Sequence, residues 1–249
     1  MDSQQQKIQD EDYSFPYHYV PQFSPGFTQT YSWTWGLYYA SALEFVINRV
    51  KECGPETIVD VGTGDGRLVR ELSREPAFRR VVGIDYSTRA IALARALNPT
   101  LEFLAQDITK RDFEEQFELA TLIEVFEHLP PDFAPQFVTA LRRLLKPNGH
   151  LLVTVPHKNL PVSAKHFQHF SEKSLRPYFE PHFVVEEVRF LNKRSQWVSL
   201  IAKILENDYF ILKHWGLRNR LYLAYKKFFL LSDEAQCGRI YMRLRPKVV

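Results

Sequence analysis

An α/β fold, with a mostly parallel sheet and helices on both of its faces, is predicted for this chain of 249 residues by three observations. Short β-branched strands alternate with amphipathic helices from Thr57 to Val155, the pattern of repeated strand–helix–strand units. The first strand, Thr57-Ile58-Val59-Asp60-Val61, empties directly into a turn carrying Gly62, Gly64 and Gly66. A second apolar strand ends on an acid, Asp85, nineteen residues past Gly66. A glycine-dense turn between a buried strand and a helix lets backbone approach a ligand closely, and a carboxylate at the tip of the next strand suits a ribose diol.

Residues 1–12 are polar and charged without a hydrophobic period, which predicts a loosely attached tail. Eleven aromatic residues then crowd Tyr13 to Tyr39 around Pro16, Pro21 and Pro25. Such a segment leaves water, yet its prolines deny it a long helix. It reads as a hydrophobic cover for one edge of the domain or as a lid over a site, with Tyr17, His18, Tyr31 and Trp35 its useful side chains. Ala42, Leu43, Val46, Ile47 and Val50 mark a leading helix that Cys53-Gly54-Pro55 ends. After the glycine turn come a helix from Arg67, a strand over Val81–Asp85, a helix over Ala90–Leu97 and strands at Leu101–Ala105 and Phe117–Ile123. A helix over Asp132–Leu145, stopped by Lys146-Pro147-Asn148-Gly149, leads to a fifth strand, His150–Val155.

Strands return at Phe183–Phe190 and Gly238–Leu244. Between them lies an aromatic, basic segment with two predicted apolar stripes. Trp197, Leu200, Ile201, Ile204 and Leu205 form one, and Leu217, Leu221, Tyr225 and Phe228 the other. The expected organisation is therefore a tail, aromatic segment and leading helix over 1–50, a core over 51–190, a helical insertion over 191–236, and a final core strand over 237–249.

Composition excludes several classes. The hydrophobic share is 45% and the charged share 24%, ordinary for a globular domain, while 14% aromatic is high. Two cysteines without a CxxC or Cys/His cluster support neither a disulfide framework nor zinc, and a reducing cytoplasm fits. The start is acidic where a signal peptide is basic, and no apolar run reaches membrane-spanning length, so membrane contact is expected to be peripheral at most. The net charge of +3 is unevenly spread: residues 189–249 carry 13 Lys+Arg against 4 Asp+Glu, and the preceding part is acidic.

The dinucleotide fingerprint places a third glycine at position 67, where this chain has Arg67. Asp60 followed by GxGxG instead resembles the first motif of the class I S-adenosylmethionine (SAM) dependent methyltransferases. Four further stretches match that family in order: the acid in GIDYS, AQDI at Ala105–Ile108, LIEVFEHLP at Leu122–Pro130, and LLKPNGHLLVTVP at Leu144–Pro156. The resemblance covers about a hundred residues and looks closest to the branch of the ubiquinone-pathway O-methyltransferases. It implies a Rossmann-like, seven-stranded sheet whose last strand runs antiparallel.

By that resemblance, Gly62, Thr63, Gly64 and Gly66 pass under the methionine moiety of SAM, with Asp60 close to it. Asp85 accepts from the ribose hydroxyls, Tyr86 lies along the adenine, and Asp107 and the Ile108 N–H bond its edge. Glu124 sits by the methionyl amine, and Tyr31 joins from the lid. Methyl transfer to a hydroxyl requires alignment and removal of a proton, and histidine is the usual base. His128 follows the fourth strand and is the first candidate, with His157 and His169 behind it; His166 shares the His169 stretch. The run from Glu124 through Glu127 to His128 also resembles the small-RNA 2′-O-methyltransferases, in which such a run and a later histidine hold a divalent metal. By that second resemblance His169 would complete the set here, while the same run followed by Leu-Pro also resembles metal-free relatives, the quinone O-methyltransferases among them, and no metal is the expectation.

The acceptor expected from the resemblance is a hydroxyl on a small molecule, a sugar or a lipid-linked molecule. RNA is the alternative acceptor, and a non-catalytic SAM-binding subunit the alternative class. The basic insertion is read three ways: as a wall of the acceptor pocket, as a surface for anionic lipid, or as a surface for RNA. The aromatic load also leaves self-association open.

Overall fold

The computed structural model describes residues 4–5, 7–8, 36–110, 113, 115–205, 209–210 and 212–247. The expected aromatic lid, with Tyr17, His18, Tyr31 and Trp35, lies outside these residues.

Helix α1 (Gly36–Cys53) buries Leu37, Ala40, Leu43, Val46, Ile47 and Val50 along one side. Gly54, at φ 61°, ends it by donating its N–H to the Val50 and Lys51 carbonyls. Strand β1 (Thr57–Val61) is buried throughout because it lies between two parallel neighbours, β2 (Arg80–Asp85) and β4 (Phe117–Ile123). That position explains its unbroken β-branched run. Strands β3 (Glu102–Ala105) and β5 (Leu145–Pro156) extend the parallel part on either side.

Side chains alternate across the sheet, and each face has its own helices. Ile58, Leu119, Leu152 and Tyr241 meet α1, α2 (Arg67–Leu72) and α3 (Thr88–Leu97). Val59, Ala120, Leu122 and Val153 meet α4 (Ala134–Arg143) and α5 (Glu172–Phe179). Burial of each large apolar side chain contributes about 1.5–3 kcal/mol. Ser87 caps α3 by accepting the Ala90 N–H at 3.2 Å, and Ser171 and Ser174 form a reciprocal cap on α5.

The strand order is β3-β2-β1-β4-β5-β8-β6-β7, where β6 is Phe183–Leu191, β7 Leu231–Ser232 and β8 Arg239–Pro246. The order reverses between β1 and β4, so the crevice beyond their carboxyl ends is the place where such a sheet binds ligands. Strand β8 runs antiparallel to both β5 and β6, as the resemblance implied.

Four expectations change in detail. The sheet has eight strands where seven were expected: Leu231–Ser232, from the predicted insertion, pairs with Phe190 and Leu191 at the edge. Lys146–Gly149, read as a helix stop, lies inside β5 as an irregularity, because the pairing jumps from Phe117 with Leu145 to Leu119 with His150. The helix from Arg67 is short, ending at Leu72.

The two apolar stripes also divide. In α6 (Gln196–Leu205) Val198 and Leu205 are buried while Trp197 and Leu200 face water. In α7 (Trp215–Phe229) the buried residues are Tyr222 and Tyr225, with Leu217 and Phe228 outside. The tyrosines go inward because their hydroxyls find partners there: Tyr222 donates to Glu44 at 2.7 Å, and Tyr225 accepts from Asn192 at 2.8 Å.

Candidate active site

A cavity of about 680 Å³ opens at the carboxyl ends of β1, β2 and β4, at the sheet's switch point. Its floor is the glycine turn. Gly62, Gly64 and Gly66 all have positive φ, at 75°, 55° and 78°. A Cβ on Gly62 would lie 2.3 Å from a methyl of Val125, which follows β4, so the two crevice-lining turns touch there without room for a side chain. The Gly62 and Thr63 N–H groups both donate to the Ile84 carbonyl, fixing the turn against β2.

Asp85 is held by backbone: its Oδ2 accepts the Gly64 N–H at 3.1 Å and its Oδ1 the Ser87 N–H at 2.9 Å. The glycine turn and the acid are thus one assembly. Tyr86 is half exposed at the cavity's rim, and Ile108 is buried in its wall. Asp107 lines the same wall; burial works to raise its carboxyl, but hydrogen bonds from the Thr109 hydroxyl and N–H hold it below its ordinary value.

Beneath the turn, Asp60 accepts a 2.7 Å hydrogen bond from the Thr121 hydroxyl. Burial pushes its carboxyl up to about 7 against that hydrogen bond. Asp65, which sequence reasoning passed over, also lines the cavity, and burial raises it to about 6.

Glu124 has a positive φ of 55°, rare for a residue with a side chain. Its carboxylate accepts from the Thr154 hydroxyl at 2.9 Å and from the fork of Arg239 at 2.9 and 3.0 Å. Arg239 is the main residue missed in the sequence. It starts β8, and nothing in its spacing points to a partner 115 residues away.

Past Glu124, the single 3₁₀ turn Phe126–His128 is anchored by Phe126, whose ring packs 5.0 Å from that of Phe179 and 5.6 Å from that of Phe170. Glu127 is buried against the cavity, and its Oε2 has no hydrogen-bond partner among the described residues. Burial, reinforced by the charge of Glu124, raises its carboxyl well above the ordinary range.

The imidazole tautomers follow from their partners. His128 Nδ1 lies 2.9 Å from the Lys165 carbonyl, which only accepts, so Nδ1 carries the proton and Nε2 presents a lone pair. That Nε2 is 3.9 Å from Glu127 Oε1. By the same logic His169 donates from Nδ1 to the Leu160 carbonyl and accepts at Nε2 from His166 Nδ1, 2.7 Å away. His166 Nε2 is then its unprotonated nitrogen. Burial, with the positive potential of His128, His169 and Lys165, lowers His166 to about 3 and keeps it neutral.

The sequence-selected residues Asp60, Gly62, Thr63, Gly64, Asp85, Tyr86, Asp107, Ile108, Glu124 and His128 therefore line one cavity, with Glu127 and His166 beside them. Gly66 lies just behind, where a Cβ would strike the Phe103 ring at 2.5 Å. His157 is elsewhere: it is buried, its Nδ1 accepting the Asn159 N–H at 3.0 Å and its Nε2 lying 3.4 Å from Glu234. His169 touches the site only through His166. Liganding atoms of Glu127, His128 and His166 fall within 4.8 Å of one another, so the metal-capable group differs from the expected one. His166 stands where His169 was expected, and Glu124 is engaged by Arg239.

The fold, the switch-point cavity and the glycine–acid cradle define an α/β domain with a ligand-sized cavity at the carboxyl ends of its strands. The family described as a methyltransferase domain matches residues 58–149, the span from β1 into β5. The ubiquinone biosynthesis O-methyltransferase of Alkalilimnicola ehrlichii is 35% identical over 108 residues, covering 41% of this chain and 42% of that protein. That of Nitrosococcus oceani is 36% identical over 113 residues, or 43% and 46%. The chain thus spans less than half the length of these relatives. Among solved structures, the cyclase SpnF aligns with a TM-score of 0.62 at 18% identity, over 98% of this chain and 97% of that one. The N-methyltransferase NodS from Bradyrhizobium japonicum, in complex with S-adenosyl-L-homocysteine, aligns at 0.54 and 15%, over 82% and 87%.

Residues 58–149 thus match a methyltransferase-domain family, and the chain is similar to enzymes of that class, for which the resemblance implies SAM as the cofactor. The residues present fit that cofactor: the turn's glycines bring bare backbone to the cavity, Asp85 is held in place in advance by the Gly64 and Ser87 N–H groups, and six carboxyl groups line the cavity to receive a cation.

Proposed function

We propose that this protein methylates a hydroxyl group of a small, sugar-bearing or lipid-linked acceptor, with His128 as the general base. The observation that carries the reading is the tautomer of His128: the Lys165 carbonyl takes its Nδ1 proton, so Nε2 is the basic nitrogen in a residue that lines the cavity, 3.9 Å from a buried carboxyl.

SAM supplies an electrophilic methyl on a sulfonium. The protein's part is to orient and to move one proton. Asp85 and the Gly62–Gly64 turn hold the nucleoside end, while Glu124, kept in place by Arg239 and Thr154, offers negative charge toward the amino-acid end. His128 Nε2 accepts the acceptor's hydroxyl proton as the oxygen becomes a nucleophile, and the imidazolium formed is stabilised by Glu127 and by the Lys165 carbonyl on Nδ1. Glu127 is otherwise driven toward its neutral form by burial, so a cation on His128 restores its charge at the moment it is useful. Such a base contributes about 10²- to 10⁴-fold. The relatives named for ubiquinone biosynthesis support an O-linked product.

The test is turnover with labelled SAM against a panel of catechols, prenylated phenols and sugars, for the parent and for His128→Ala. Oxygen-linked methyl in the product and at least about a hundredfold loss in the variant, with SAM affinity retained, are expected. Nitrogen-linked product, or an unaffected variant, overturns the reading.

One observation favours a second reading, in which a divalent cation binds the acceptor's oxygens, including those of an RNA terminal diol. Glu127, His128 and His166 bring a carboxylate oxygen and two imidazole nitrogens within 4.8 Å of one another, and each histidine is oriented by a hydrogen bond at its Nδ1. A cation there would activate the hydroxyl in place of a histidine base.

A further inference from the structure

Helices α6 and α7 are apolar on two sides, and only one side is covered. Val198, Leu205, Tyr222 and Tyr225 pack with Leu37 and Ala40 of α1 in a shared cluster. Away from that cluster, α6 turns Trp197, 69% exposed, and Leu200, 51% exposed, outward, with exposed Lys203 one helical step beyond Leu200. On α7, Leu217, Arg220, Lys227 and Phe228 recur at helical steps along one outer face, with Leu223 at its margin. Lys227 lies 5.2 Å from the centre of the Phe228 ring, so cation and aromatic are presented together. Residues 192–232 carry eight Lys+Arg and two Asp+Glu.

We infer that the outer faces of α6 and α7 form a docking surface for an anionic lipid bilayer. Exposed apolar side chains in this number are unusual on a soluble domain and mark an interaction site. Their partner is negatively charged, because cations are threaded among them. Aliphatic Leu200, Leu217 and Leu223 give nothing to stack on a nucleic-acid base, but they enter the acyl boundary of a membrane as readily as Trp197 and Phe228 do. A second copy of the chain would bring the same positive charge and be repelled. No described helix is long and apolar enough to cross a membrane, so the contact is one of lying on the surface. The surface is independent of which acceptor the cavity takes.

Flotation of the full chain with vesicles of phosphatidylcholine, alone or with a third phosphatidylglycerol, tests this. Binding is expected to need phosphatidylglycerol and to weaken with salt. Each cation near the surface contributes about fivefold, so combining Lys203→Glu, Arg220→Glu and Lys227→Glu lowers partitioning about a hundredfold. Trp197→Ser with Leu217→Ser and Phe228→Ser abolishes it too, while circular dichroism and SAM titration match the parent. Equal binding to both vesicles, binding to neither, or undiminished binding of the serine variant overturns the inference. So does a single-stranded RNA that binds more tightly than the vesicles and loses its affinity on the same charge reversal.

Discussion

Arg239 closes on Glu124 with a two-pronged hydrogen bond of 2.9 and 3.0 Å, tying the start of β8 to the end of β4. The same guanidinium donates to Asn192 Oδ1 at 2.9 Å, and Asn192 donates to the Tyr225 hydroxyl at 2.8 Å. A chain of polar contacts thus runs from the cofactor cavity to helix α7. Arg239→Ala leaves a partly buried carboxylate without its counter-charge, and a loss of about 2–4 kcal/mol in denaturant unfolding is expected. Arg239→Lys keeps the charge but not the fork and is expected to lose less stability. A hydrogen-exchange experiment on Arg239→Ala should show faster exchange in α7 as well as around Glu124; protection unchanged in α7 would mean that the chain of contacts carries nothing.

Asp60 gives the ligand-free protein a pH dependence of known sign. Its carboxyl is raised from 3.8 to about 7, chiefly by burial, so the folded state binds the proton more tightly than the unfolded state does. Its contribution to stability is full below about pH 4 and is lost as pH rises through about 7. A cationic ligand selects the ionised form. SAM affinity should therefore rise between pH 6 and 8, with proton release visible by calorimetry in buffers of different ionisation enthalpy. In Asp60→Asn the slope should shrink, leaving the part that Asp65 and Glu127 contribute, and an unchanged slope would assign the titration to those two alone.

Gly62→Ala combines a positive φ with a methyl group 2.3 Å from Val125. A loss of about 1–3 kcal/mol and weaker SAM binding are expected. Adding Val125→Ala removes the collision but not the backbone strain, so the double variant should recover part of the loss. Full additivity in a double-mutant cycle would mean that the two side chains do not meet.

Chelation separates the two catalytic schemes. With His128 as base, turnover survives exhaustive treatment with EDTA, and Glu127→Gln lowers kcat by about tenfold or more because the imidazolium loses its support. If Glu127, His128 and His166 act by holding a cation, chelation abolishes turnover and added magnesium or manganese restores it. Isothermal titration of manganese into the protein gives a reading that does not depend on activity.

The strand–turn–acid unit could be read from sequence because its requirements are local: β-branched residues on a doubly covered strand, glycines at positive φ, and an acid at the next strand's tip. The base side was less readable. Choosing among His128, His157, His166 and His169 depends on which carbonyls their Nδ1 atoms meet, and those lie 37 residues from His128 and nine from His169. Arg239 was invisible for the same reason. The insertion misled differently. Helical spacing found its apolar residues but not which of two apolar faces is inside, and that was decided by partners for the Tyr222 and Tyr225 hydroxyls.

Strand β8 lies between β5 and β6, both of which precede it in the chain. During synthesis the earlier strands must wait with a vacant slot, two edges unsatisfied, until Arg239–Pro246 emerges to fill it. The cavity's Arg239 arrives with that filling, so the site is completed by the same event that seals the sheet, and a nascent chain halted before it would have most of a fold and an unanchored Glu124.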